Sequence, residues 1–328
     1  MIPLDTLDDR RLHLVILPTE ACHFRCTYCF EDFRLGRMPP GVVEALKAWL
    51  ARRAPDLDLL EISWFGGEPL LASDLLLSLQ SHAVELSRQH PRMNVRAHLT
   101  TNGHLLTREV FRELLALRVS EYQITLDGPE EVHDRTRRMA GGGPTFAAIW
   151  RNLLALQEVE GEFGLELRIH LHRENAERLP ELLQQCAAAF AHDRRFRLTF
   201  KALFHPGHEG FDASGLLEPD EAEPYLSALR TRAADLGLAA RPSHGAGAGA
   251  ICYAAKANSF VVRSDGTLGK CSVALSAPEN RVGRLELDGT VSIDGERVQP
   301  WLRGLFSGEE EARRCPLKGI RAGAVAPA

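Results

Sequence analysis

Apolar positions in the first two thirds of the chain switch repeatedly between short runs and helical spacing. Leu12-His13-Leu14-Val15-Ile16-Leu17 is a mostly apolar run that Pro18 ends, which predicts a buried strand. Val42, Val43, Leu46, Trp49 and Leu50 then recur on one helix face over 42–53. The same reading predicts strands over 59–65, 95–100, 122–126, 165–171 and 196–204. It predicts helices over 74–88, 107–117, 145–159 and 177–191, with Thr107 as a cap. Strand and helix taking turns is the pattern of a parallel sheet with helices packed outside it. Right-handed crossovers curl such a series toward a barrel. Six strands are too few for the closed eight-stranded form, so the expected fold class is α/β, an open partial (β/α)6 TIM-like barrel. Its functional residues are expected on loops after the strand C-termini.

Beyond residue 204 the pattern changes. A helix is predicted over 221–236, and the Gly/Ala stretch 243–250 reads as a hinge. Two hairpins follow: 259–262 with 269–273 around Asp265-Gly266, and 282–287 with 291–293 around Asp288-Gly289. A last helix over 300–313 leads to Cys315-Pro316, and the tail after Gly319 is expected to fray. The organisation expected is an N-terminal segment 1–11, a partial barrel 12–205, a helical linker and hinge 206–250, and a small hairpin-rich region 251–328.

Composition narrows the class. The 328 residues are 45% hydrophobic and 25% charged, with a net charge of −5. That balance argues against nucleic-acid binding driven by phosphate neutralisation. Residues 1–11 carry Asp5, Asp8 and Asp9 and lack the basic-then-apolar order of a signal peptide. No apolar run nears the roughly 20 residues of a membrane span. A cytoplasmic location is expected, with the seven cysteines as metal ligands or core residues rather than disulfides.

Cys22, Cys26 and Cys29 form C-x3-C-x2-C in the loop predicted after the first strand. Three thiolates so placed can hold one face of an iron–sulfur cube and leave one iron without a protein ligand. Structural zinc would take four ligands. Unrelated core cysteines would not share a loop with Arg25, Thr27 and Glu31. The stretch 22–29, with Tyr28 before the third cysteine, resembles the signature loop of the radical S-adenosylmethionine (SAM) superfamily. The resemblance implies a 4Fe–4S cluster whose open iron is chelated by SAM, and a 5′-deoxyadenosyl radical released when the cluster donates one electron.

Four further segments fall where that family lines its SAM pocket. Gly66-Gly67-Glu68-Pro69 follows the second strand and resembles the motif that takes the methionine ammonium, with Glu68 as the carboxylate. Thr101-Asn102 follows the third strand, and Thr125 and Asp127 end the fourth, as candidates for the ribose or carboxylate. His133, Asp134 and Arg137 match an H-D-x-x-R segment, which suggests Arg137 for the SAM carboxylate or else a surface salt bridge. Asn175 is a further candidate. Each segment taken alone reads equally as turn chemistry.

Cys252, Cys271 and Cys315 resemble a truncated SPASM or twitch extension of peptide-modifying family members, in which Ala312 replaces one cysteine of the last motif. They imply one auxiliary 4Fe–4S cluster with three protein ligands. Cys186 sits at core spacing beside Leu182, Leu183 and Ala187 and reads as a small hydrophobe.

The resemblance implies a radical SAM peptide maturase that abstracts hydrogen from a ribosomally made peptide and closes a carbon–carbon or thioether crosslink. Crosslinking is a net two-electron oxidation, so the auxiliary cluster is expected either to accept the second electron or, in the thioether case, to bind the substrate Cys thiolate at an open iron. The expected partners are a precursor peptide and an external electron donor; with no leader domain expected in the ten or so residues before the first strand, the leader is expected either to bind the barrel face directly or to be recruited by a separate leader-binding protein. Alternatives are a formylglycine-forming sulfatase maturase, a peptide epimerase and a non-catalytic iron–sulfur carrier. Glu31 and Asp32 are candidate bases by sequence proximity alone.

Overall fold

The six expected strands form as β1 (Arg11–Ile16), β2 (Leu59–Trp64), β3 (Asn94–Thr101), β4 (Val119–Leu126), β5 (Gly164–Leu171) and β6 (Phe196–Ala202). They are seen in a computed structural model that describes residues 6–205, 211–241 and 250–324. Between them lie α1 (Pro40–Arg53), α2 (Ser73–Gln89), α3 (Arg108–Ala116), α4 (Glu130–Thr136), α5 (Phe146–Gln157) and α6 (Leu179–Phe190). The fold class is α/β, with the parallel strands of a partial TIM-like barrel and antiparallel hairpin strands near the C-terminus. The described residues fall into two units. One takes those in 1–21, 31–97 and 245–328, the other those in 22–30 and 98–244. β3 begins in the first unit and ends in the second.

In the first unit β1 lies between β2 and β8 (Ser259–Val262), parallel to both. Leu12, Leu14 and Ile16 of β1 and Leu60, Ile62 and Trp64 of β2 are buried. Beyond β8 come β9 (Thr267–Gly269), β10 (Gly283–Leu285) and β11 (Val291–Ile293), antiparallel in turn. Gly266, at φ +84°, makes the tight reversal from β8 to β9 that an L side chain would strain. The helix expected over 300–313 is two. α8 (Gly295–Ser307) starts earlier because the Asp294 carboxylate accepts from the Glu296 and Arg297 amides. It stops at Gly308, φ +76°. α9 (Glu310–Arg314) follows, and the tail expected to fray continues as α10 (Pro316–Ala324).

In the second unit β4, β5, β6 and the short β7 (Ala240–Arg241) run parallel, with α7 (Pro219–Asp235) between β6 and β7. Alternation decides the faces of β5. Leu165, Leu167, Ile169 and Leu171 are fully buried, and the opposite face carries Glu166, Arg168 and His170, with His172 next in line. Cys186 on α6 is fully buried, and burial pushes its thiol up to about 12, as expected of a core residue. The hinge stretch 243–250 lies, except for Ala250, outside the described residues. Among the described residues no helix is long and apolar enough to cross a membrane.

Candidate functional site

In the second unit the cysteine loop is tied along its length to residues 136–140. The Arg25 amide donates to Arg138 O at 2.8 Å and the Thr27 amide to Thr136 O at 2.9 Å. The Ala140 amide donates to His23 O at 2.7 Å. Arg25 also turns its guanidinium back onto the Cys22 and Phe24 carbonyls, both at 2.7 Å. Cys22, Cys26 and Cys29 are half-buried thiols outside any disulfide. Burial raises the Cys26 pKa, the Arg137 charge opposes that, and Asp127 adds to it.

The expected SAM contacts of this unit form a network around Tyr28. Its hydroxyl lies 2.9 and 2.7 Å from the two oxygens of Asp127, which is fully buried and also accepts from Thr136 Oγ1 at 2.7 Å. Arg137 Nη1 donates to the Tyr28 oxygen at 2.8 Å. Arg137 is buried, so the surface-salt-bridge reading falls. Asn175 is a strut, donating to the Asp127 and His170 carbonyls at 2.7 and 2.8 Å. The buried Thr125 sits on β4 opposite Arg168. Thr101 and Asn102 accept the Gly103 and His104 amides at 3.1 and 3.0 Å, which is turn chemistry.

The first unit holds the Gly66–Pro69 turn at the end of β2. Gly66 has φ +131°, and a Cβ there would clash with the Thr19 carbonyl. A Cβ on Gly67 would lie 2.6 Å from Glu20 O. Both glycines therefore admit the backbone of residues 19–21, a closer constraint than the approach of a ligand. Glu68 is fully buried, and its carboxylate accepts the Leu70 amide at 3.0 Å, capping the turn that opens with Pro69. Nearby is a pair that sequence reasoning missed. Arg263 grips Glu20 through Nε at 3.0 Å and Nη2 at 2.5 Å, and Glu20 is fully buried. Both oxygens of Glu31 are buried without a partner, and burial, then the charge of Glu20, raises its pKa to about 8. Asp32 instead accepts from Ser276 Oγ at 2.5 Å near the surface.

Cys252, Cys271 and Cys315 are also free and half-buried. Burial pushes the Cys252 thiol up to about 11, and the neighbouring Cys271 and Cys315 add to that, so the three are within electrostatic reach of one another. Asn280, unnoticed in the sequence, fixes one of them. Its Oδ1 accepts the Lys270 and Cys271 amides at 2.8 and 2.9 Å while its Nδ2 donates to Cys271 O at 2.8 Å. The buried Lys270 donates from Nζ to the Ser259 carbonyl at 2.7 Å. Two sets of three thiols, none in a disulfide, suit the thiolate donor chemistry of iron–sulfur cubes. Among the described residues no three His, Cys, Asp or Glu side chains close on a single metal ion.

The sequence profile described as the Radical SAM superfamily matches residues 16–186. The chain is 29% identical over 165 residues to the cysteine-type anaerobic sulfatase-maturating enzyme of Clostridium perfringens, covering 47% of this chain and 43% of that one. It is 26% identical over 178 residues to the PqqA peptide cyclase of Gluconobacter oxydans, covering 54% and 46%. The matches therefore span under half the length of these relatives. In fold the chain is similar to native anSMEcpe solved with bound AdoMet and the Cp18Cys peptide. The TM-score is 0.69 at 21% identity, over 93% of this chain and 86% of that one.

Proposed function

The chain belongs to the radical SAM superfamily, and from that premise we propose that it is a peptide maturase that forms a carbon–carbon or thioether crosslink in a ribosomally made peptide. The observation that carries the reading is the loop bearing Cys22, Cys26 and Cys29, held by residues 136–140 with Arg137 beside Cys26. These three thiolates would hold a 4Fe–4S cluster, and Glu68 would take the ammonium of SAM. SAM bound to such a centre supplies a 5′-deoxyadenosyl radical able to remove hydrogen from carbon. Arg137 favours the thiolate of Cys26, and Tyr28 and Asp127 keep that guanidinium in place. Asp127 and Arg137 are spent largely on this internal network, so their contribution to a SAM site is mainly to position the loop. Cys252, Cys271 and Cys315 would hold the auxiliary cluster that accepts the second electron of the oxidation. The partners of this reading are a precursor peptide, an external electron donor and a separate leader-binding protein, and the location is cytoplasmic.

A second reading, oxidation of a sulfatase residue to formylglycine, is favoured by the likeness to sulfatase-maturating enzymes. Against it, this chain has only seven cysteines, of which Cys186 is buried core. The test is anaerobic reconstitution with iron and sulfide, reduction, and assay of 5′-deoxyadenosine. Wild-type protein should form it, and Cys22→Ala/Cys26→Ala/Cys29→Ala should not. Equal 5′-deoxyadenosine from the variant would remove the assignment. A crosslinked peptide rather than formylglycine as product separates the two readings.

A further inference from the structure

The polar face of β5 holds more cationic donors than the network around Tyr28 uses. Arg168, His170 and His172 follow one another at two-residue spacing, and β6 sets Thr199 beside Arg168 and Lys201 beside His170. His170 is held well below its usual pKa by burial, then by Arg168, Arg137, Lys201 and His172, so these groups surround it. Two of the anions near this cluster already have partners, and Glu174 lies at its His172 end. Asp127 is bonded to Tyr28 and Thr136, and Glu166 accepts from Gln123 Nε2 at 2.5 Å. The donors do not all have acceptors. Arg168 Nε, Arg137 Nε, His172 Nε2 and Thr199 Oγ1 are buried without a hydrogen-bond partner on the chain.

A guanidinium Nε–H can only donate, and leaving such a group buried and unpaired costs about 1–3 kcal/mol. The Nε–H of Arg168 and the Thr199 hydroxyl, cross-strand neighbours without an acceptor, suit an anion with two oxygens, which an arginine receives in bidentate fashion. We propose that this face is the substrate-specificity site: Arg168, with Thr199 beside it on β6, receives the carboxylate of an Asp or Glu side chain in the peptide that the enzyme modifies. Arg137, which links the face to Tyr28 and lies beside Cys26, puts that anchor on the same unit as the cysteine loop. The inference rests on the peptide-maturase reading and gives it a substrate class, peptides with an acidic residue near the modified position.

The test uses two blocked tripeptides, Ac-Ala-Glu-Ala-NH2 and Ac-Ala-Gln-Ala-NH2, titrated calorimetrically into the reconstituted full chain with and without saturating SAM. A charge-assisted contact predicts that the Glu peptide binds roughly tenfold or more tightly than the Gln peptide. The preference should persist with SAM bound, vanish in Arg168→Gln, and survive in part in Arg168→Lys. Equal affinity of the two peptides for wild-type protein overturns the proposal. So does loss of the preference on adding SAM, because the carboxylate recognised would then be that of SAM itself. An undiminished preference in Arg168→Gln does the same. Both wild-type comparisons stand even if Arg168→Gln fails to fold. Selective binding by a wild-type protein that forms no 5′-deoxyadenosine would overturn the proposed function and leave the carboxylate site in place.

Discussion

Replacing Arg263 with Leu should be strongly destabilising, because its side chain is only 13% exposed and its partner not at all. Glu20 is fully buried, and three donors serve its carboxylate: Arg263 Nε at 3.0 Å, Arg263 Nη2 at 2.5 Å and the Ser264 amide at 3.4 Å. Arg263→Leu removes the two short ones and leaves a buried carboxylate facing one long N–H contact. It also removes the Nη1 bond to Leu275 O at 3.0 Å. Removing one partner of a buried pair costs about 3–5 kcal/mol, most of it the unpaired charge left behind. The companion variant Glu20→Met/Arg263→Leu removes both charges. It should recover most of the loss, since an apolar pair of similar volume is often no worse than the ion pair. The assay is urea unfolding of the apoprotein at pH 7, comparing ΔG from midpoint and slope for wild type, both single variants and the double. A loss below about 1 kcal/mol for Arg263→Leu, or a double variant as unstable as that single, would refute the reasoning.

Three further outcomes are expected. Burial, then Lys256 and Lys270, lowers the His13 pKa from 6.5 to about 4, so between those values the unfolded chain binds a proton that the folded chain does not. Stability therefore falls as pH drops below 6.5, and His13→Gln should lose about 2 kcal/mol less than wild type between pH 7 and pH 5 in urea titrations. Glu68→Gln keeps an acceptor for the Leu70 amide but loses the charge, so SAM affinity by equilibrium dialysis should drop roughly tenfold while the fold persists. Cys252→Ala/Cys271→Ala/Cys315→Ala should lower iron from roughly eight to roughly four atoms per chain and retain some SAM cleavage. Unchanged iron would reduce those cysteines to core residues.

Strong periodicity made the barrel strands legible. β1, β2, β3, β4, β5 and β6 lie where apolar runs or alternation marked them, and Thr107 caps α3 as its position before Arg108 suggested. The helix expected over 300–313 starts five residues earlier and carries Pro300 in its interior. The stronger signals were Asp294 as a cap and Gly308 as a stop, both short polar or flexible residues at the ends of an apolar pattern. The cysteine loop was legible because three thiols in eight residues are rarely accidental. What surrounds it was not, because hydrogen-bond partners such as Asp127 and Tyr28 lie 99 residues apart. The Glu20–Arg263 pair spans 243 residues and leaves no local trace. The polar face of β5, by contrast, does leave one. Glu166, Arg168 and His170 alternate with Leu165, Leu167 and Ile169, and that period of two alone separates a polar face from an apolar one.

The pairing of β8 with β1 also governs how this protein must be made. His13 pairs with Ser259 and Ile16 with Val262, so one edge of β1 has no partner until residues 259–262 have left the ribosome. Through that interval a nascent chain carries an apolar strand with free amides and carbonyls along one side, the configuration most open to wrong pairing. Closing a contact of such sequence separation is also slow compared with helix formation. Expression should therefore respond to whatever shortens or shields this interval, such as lower temperature or abundant chaperones. Truncation before residue 262 should yield aggregate rather than a smaller folded protein.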